Sequence, residues 1–272
     1  MNKVERRADL DQTKVCWIHG PAGVGKSAIV QTVSETYSAR GQLTASFFSR
    51  SAPSRSHARW FFTTLALQIA HSMPQTRPGI CKAVEDDLQI LHKQQSQLKQ
   101  LLILPLLSPS SSPPRSPFLV IVDGLDECSG YQSQVLLHIL ELVTTHSLPL
   151  RFLIFSRPEP QIYHFFDTVA MKASTRISIY GDHQARQDVR LFLPTGFNTI
   201  HKSEKHAAIM KHVPKPWPSD EVVQLLADRS DGYFIYASTL KYVDEEYFSY
   251  VDRLREVLEL HIQTWLVSVR GT

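Results

Sequence analysis

Cysteine is scarce. Only Cys16, Cys81 and Cys128 occur, an odd number with no C-x-x-C spacing. Neither a disulfide framework nor a cysteine-based zinc site fits, and a reducing compartment does. The expected location is therefore cytoplasmic. Long apolar runs are missing as well. Nothing approaches the roughly 20 residues that cross a bilayer, so no membrane span is expected. The charged start (Lys3, Glu5, Arg6, Arg7, Asp9, Asp11) has no apolar stretch of signal-peptide length. Excess charge is small: 29 Lys and Arg against 26 Asp and Glu leave +3. That is too little for an electrostatic footprint on nucleic acid, and no nucleic-acid partner is expected. No H-E-x-x-H occurs, which excludes a zincin, and no G-x-S-x-G supports a hydrolase elbow.

What is there is globular. Of 272 residues, 43% are hydrophobic and 20% charged, enough apolar material for a proper core. Short apolar runs alternate with longer amphipathic ones. Strands are predicted at Val15–Ile18, Leu43–Phe48, Phe118–Val122, Arg151–Phe155 and Arg176–Tyr180. Helices are predicted at Ser27–Arg40, His57–Met73, over most of Ile80–Leu107, and at Tyr131–His146. Trp60, Phe61 and Phe62 read as core rather than a base-stacking platform, because no basic stripe accompanies them. Residues 108–117 are Ser, Pro and one Arg, and read as a surface insertion.

Strands separated by helices indicate an α/β fold with a mainly parallel five-stranded sheet covered on both faces, a three-layer α/β/α arrangement. Beyond about residue 182 only helices are predicted: Asp182–Leu193 ending before Pro194, Ser219–Arg229 with Ser219 as N-cap, Tyr233–Tyr247 and Ser249–His261. The division expected is 1–195 for the α/β domain and 196–272 for a small helical module.

Gly20-Pro21-Ala22-Gly23-Val24-Gly25-Lys26-Ser27 matches G-x-x-x-x-G-K-[ST] in full, a Walker A sequence between a buried strand and an amphipathic helix. The glycines let the backbone turn so that successive N–H groups point at phosphate oxygens. The helix entered through Ala28 adds its positive end. Lys26 reaches the β- and γ-phosphates, and the Ser27 hydroxyl can ligate Mg²⁺. No N-K-x-D is present, which favours adenine over guanine.

Asp123, Asp126 and Glu127 follow the strand Phe118–Val122 in a Walker B-like position. Ligands of parallel sheets bind beyond the carboxyl ends of strands. Asp123 would hold Mg²⁺ and Glu127 would polarise an attacking water. Asp126 either orients the water shell of the metal or supports Glu127. Arg157 closes Ser156-Arg157-Pro158 after the next strand, where a guanidinium can report a γ-phosphate.

Trp17-Ile-His-Gly-Pro-Ala-Gly-Val-Gly-Lys-Ser27, Val122-Asp-Gly-Leu-Asp-Glu-Cys128 and Phe155-Ser-Arg-Pro158 together resemble the NACHT family of signal-transducing NTPases, of the STAND class. The nearest resemblance is to nephrocystin-like NACHT modules of large fungal repeat proteins. Thr64–Ala70 and Asp231-Gly-Tyr-Phe-Ile-Tyr-Ala237 also resemble it. The resemblance covers about residues 14 to 260. It implies a P-loop NTPase whose ATP/ADP state controls assembly, with slow hydrolysis and homo-oligomer or protein partners in signal transduction. It assigns Lys26 and Ser27 to phosphate and metal, Asp123 to Mg²⁺, Asp126 and Glu127 to hydrolysis, and Arg157 to sensing. The alternative expectation is a nucleotide-holding scaffold, or a remnant of a longer protein, with little or no turnover. A P-loop kinase is less favoured, because Asp-Glu after the strand suits water activation.

Overall fold

The computed structural model describes residues 13–48, 60–92, 94–108, 118–128, 132–146, 148, 150–181, 183–202, 210–239, 254, 255 and 258. The chain divides into two compact units: Met1–Ala22 with Lys26–Ile179, and Gly23–Gly25 with Tyr180–Thr272.

The first unit is built on five strands: β1 (Val15–His19), β2 (Leu43–Phe48), β3 (Phe118–Asp123), β4 (Leu150–Ser156) and β5 (Ser174–Ser178). All pair in parallel, in the order β2-β3-β4-β1-β5. The longer α-helices among the described residues of this unit are α1 (Lys26–Ala39), α2 (Phe61–Ser72), α3 (Arg77–Asp86), α4 (Gln132–Thr144) and α5 (Pro160–Thr168). The α/β class and parallel sheet expected from the alternation of apolar runs are what forms.

Side chains on a strand alternate between faces, and here both faces are apolar. Trp17, Phe47, Val122, Phe152 and Ile154 pack in one cluster with Phe61, Leu65, Leu136, Ile139 and Phe166 from the helices. Cys16, Ile18, Ile121, Leu153, Phe155 and Ile177 form another with Val30 of α1. Burial on both sides explains why these strands read as continuous apolar runs. Phe61 and Phe62 are core, as predicted.

One expectation in this unit holds in pieces and another needs correction. Ile80–Leu107 is mostly helical, as expected, but in short segments rather than one helix. Asp87 turns extended (φ −146°) after α3, and short turns follow, including a π-helical stretch at Leu98–Ile103. Leu98, Leu101, Leu102 and Ile103 of that stretch are buried. β5 begins and ends two residues earlier than predicted, because its register is set by pairing Ser174 with Val15 and Ser178 with His19. Residues 57–59 of the predicted second helix, and the insertion at 108–117 apart from Ser108, lie outside the described residues.

The second unit contains α6 (His183–His201), α7 (Asp220–Ser230) and α8 (Phe234–Thr239). α6 does not stop before Pro194 but runs through it. A proline inside a helix removes one backbone hydrogen bond. Val189, Leu193 and Phe197, spaced four apart, are all buried against Val223, Leu226 and Ala227, and continuing the helix keeps that stripe intact. α6 therefore crosses the 195/196 division drawn from sequence, and the compact unit starts at Tyr180. Ser219 occupies the N-cap position of α7 without a side-chain bond to the helix backbone. Its hydroxyl instead bonds the Glu221 carboxyl and, with a backbone N–H, holds that acid below its ordinary pKa. Residues 240–253 and most of 254–272, with much of the two last predicted helices, lie outside the described residues. Among the described residues no helix is long and apolar enough to cross a membrane.

Candidate functional site

β1 delivers the chain to Gly20, whose N–H donates to Ser156 O at 3.4 Å. Gly23 (φ +83°) and Gly25 (φ +91°) take the left-handed backbone that the motif requires. Val24 is 3% exposed and anchors the loop. Pro21 is half-buried, and Ala22 and Ala28 are exposed. Lys26 opens α1 and is buried; its Nζ donates to Gly20 O at 2.6 Å and Pro21 O at 2.8 Å. The ammonium thus lies across carbonyls of its own loop.

Ser27 and Asp123, 96 residues apart, meet: Ser27 Oγ donates to Asp123 Oδ2 at 3.4 Å. Asp123 is the buried last residue of β3, two strands from β1. A hydroxyl beside a carboxylate fits Mg²⁺, a hard cation that takes one or two protein oxygens and completes its shell from phosphates and water. Among the described residues, no three His, Cys, Asp or Glu side chains converge as a metal cage.

The acids after β3 sit on one tight turn. Gly124 (φ +78°) donates its N–H to Phe155 O at 3.0 Å and launches a 3₁₀ turn over Leu125–Glu127. Leu125 and Cys128 are buried and pin it from below. Asp126 and Glu127 are half-buried residues on the turn, and Glu127 N–H donates to Gly124 O at 2.9 Å.

Arg157 follows β4, the strand between β3 and β1. Its backbone N–H donates to Asp126 Oδ1 at 3.0 Å, and its Nε lies 3.4 Å from Asp126 Oδ2. The site residues read from sequence therefore form two pairs, Ser27 with Asp123 and Asp126 with Arg157.

Two contributors went unnoticed at the level of sequence. Trp17 Nε1 donates to Ser156 Oγ at 2.8 Å, and Ser156 Oγ donates to Arg157 O at 2.9 Å. Trp17 and Ser156 are both fully buried. A tryptophan in a buried strand signals only that its N–H needs a partner somewhere. His19 stacks on Trp17 at 4.3 Å between ring centroids, with its Nδ1 buried and unpartnered. Burial first, then the positive charges of Arg176 and Lys26, push its pKa down.

Comparison with known proteins gives a family match and a fold match. The family model described as "Nephrocystin 3, N-terminal" matches residues 3–157, which take in the loop, the acidic turn and Arg157. Among solved structures, a chain in "Structure of Drosophila ORC bound to DNA" matches with a TM-score of 0.56 at 13% identity, over 88% of this chain. This chain spans 59% of that one, and the likeness speaks to the fold alone. No curated protein matches the sequence.

Proposed function

This chain belongs to the nephrocystin 3 N-terminal family, a NACHT-like group of P-loop NTPases, and from that premise we propose that it binds Mg·ATP, hydrolyses it slowly and uses nucleotide state to control assembly. The observation that carries the reading is the meeting of Ser27 and Asp123 at 3.4 Å beside the complete phosphate loop. A chance glycine-rich turn has no reason to bring a buried carboxylate from another strand to its serine.

In this reading the amides of Gly20–Ser27 and the N-terminus of α1 hold the phosphates. Lys26 leaves the carbonyls of Gly20 and Pro21 for the β- and γ-phosphate oxygens. Ser27 and Asp123 hold Mg²⁺, which when bound offsets phosphate charge. Glu127 takes a proton from the attacking water. Arg157 stabilises charge on the γ-phosphoryl oxygens. Nucleotide and a second copy of the chain, or a signalling partner, are the proposed ligands.

Calorimetry and phosphate release test this together. Lys26→Ala is expected to weaken ATP binding at least 100-fold. Glu127→Gln should retain binding and slow hydrolysis about 100-fold. Equal ATP affinity in wild type and Lys26→Ala would discard the phosphate-loop assignment. Unchanged phosphate release in Glu127→Gln would discard the general base, and phosphate appearing on a second substrate would make the protein a kinase.

A further inference from the structure

Asp126 has an employment that neither of its two sequence-derived roles describes. Both of its oxygens face Arg157, Oδ1 toward the backbone N–H at 3.0 Å and Oδ2 toward Nε at 3.4 Å. The Asp126 side chain is 6% exposed and that of Arg157 45% exposed. One end of the pair is thus fixed in the interior and the other reaches solvent. The carbonyl of Arg157 is held as well, by Ser156 Oγ, which in turn accepts from Trp17 on β1. The N–H of residue 157 therefore answers to the turn after β3, and its C=O to β1. Those are the strands that carry Asp123 and the phosphate loop.

A guanidinium has five donors in a rigid fork. Approach through Nε engages the stem side of the fork and leaves the terminal amino groups to meet a second acceptor. Each oxygen keeps a further lone pair, but the first contact of both is Arg157. We infer that Asp126 is a positioning residue: it holds the backbone and Nε edge of Arg157 so that the terminal amino groups are presented to a γ-phosphoryl oxygen, and preference for tri- over diphosphate depends on that hold. The inference rests on the nucleotide-binding reading above. Its physical content is pre-organisation, since a guanidinium already oriented loses less freedom when phosphate arrives.

The test is calorimetric titration of the full chain with ATP and with ADP, and it reads the ratio of the two affinities. Arg157→Ala is expected to lower ATP affinity about tenfold and leave ADP unchanged. Asp126→Asn keeps an acceptor for the backbone N–H but loses the charge that holds the guanidinium, and should give a similar loss. The double variant should be no worse than either single one, because the residues act as one unit. Arg157→Lys alters only a partly exposed side chain, so it reports even if Asp126→Asn folds poorly. It keeps the charge, lacks Nε, and should lose the preference too. An unchanged ATP/ADP ratio in Asp126→Asn, losses that multiply in the double variant, or full preference in Arg157→Lys would overturn the role of Asp126 while wild-type binding stands. Failure of the wild type to bind either nucleotide would overturn the phosphate-loop reading and this inference with it.

Discussion

The phosphate loop and the acidic turn leave the same edge of the sheet, each through glycines of positive φ, yet they are held differently. Lys26 in the first bonds carbonyls five and six residues away in its own loop. Asp123 and Asp126 around the second reach residues 96 and 31 positions away. In the first the lysine is held locally, while Gly20 N–H and Ser27 Oγ reach Ser156 and Asp123. The other is completed by neighbours that only folding supplies. A lysine held by its own loop keeps its place while that backbone is intact, whereas an acid held by distant partners inherits every weakness in their packing.

That contrast can be attacked where it is deepest. Trp17 is fully buried, stacked on Phe166 at 4.6 Å, and supports Ser156 and thereby Arg157. Trp17→Ala is expected to cost about 3–5 kcal/mol of stability in urea unfolding. Pro21→Ala, at a half-buried residue of the loop, should change stability by less than about 0.5 kcal/mol. Comparable losses in the two variants would erase the distinction. A smaller effect is expected at the turn itself. Gly124 has φ +78°, so Gly124→Ala should cost about 1–2 kcal/mol, and less would mean that the turn relaxes freely.

The smallest expected effect sharpens the comparison from the side of the loop. His19 precedes Gly20 and its folded pKa lies below the ordinary 6.5. The unfolded chain therefore takes up the proton first as pH falls. The stability contribution is complete above about pH 6.5. It declines as pH drops from there through the folded value. His138, half-buried with its ring edge-on to Phe62, is shifted in the same direction by burial, with Glu141 opposing. Unfolding measured from pH 8 to 5 should show a shallower decline in His19→Asn than in wild type. An identical decline would remove His19 from the account.

Much of this was legible in order along the chain. The motif from Gly20 to Ser27 sits between β1 and α1 as its spacing predicts, and four of the five strands fall within one residue of their apolar runs, with β5 displaced by two. The misreadings share a cause. Pro194 has a strong local preference that the burial of Leu193 and Phe197 overrides. The partner of Asp126 was invisible, because an acid in a turn does not name the base it will meet.

The amino-acid order by itself determined the alternation of two-sided apolar strands with amphipathic helices and a glycine loop able to bend around an anion, since each depends on residues near one another in the chain. Which carboxylate meets Ser27, which one grips Arg157, and which indole ties β1 to β4 were decided only when the parallel sheet set its order and register. Those contacts join groups far apart along the chain, and no local preference of the backbone encodes them.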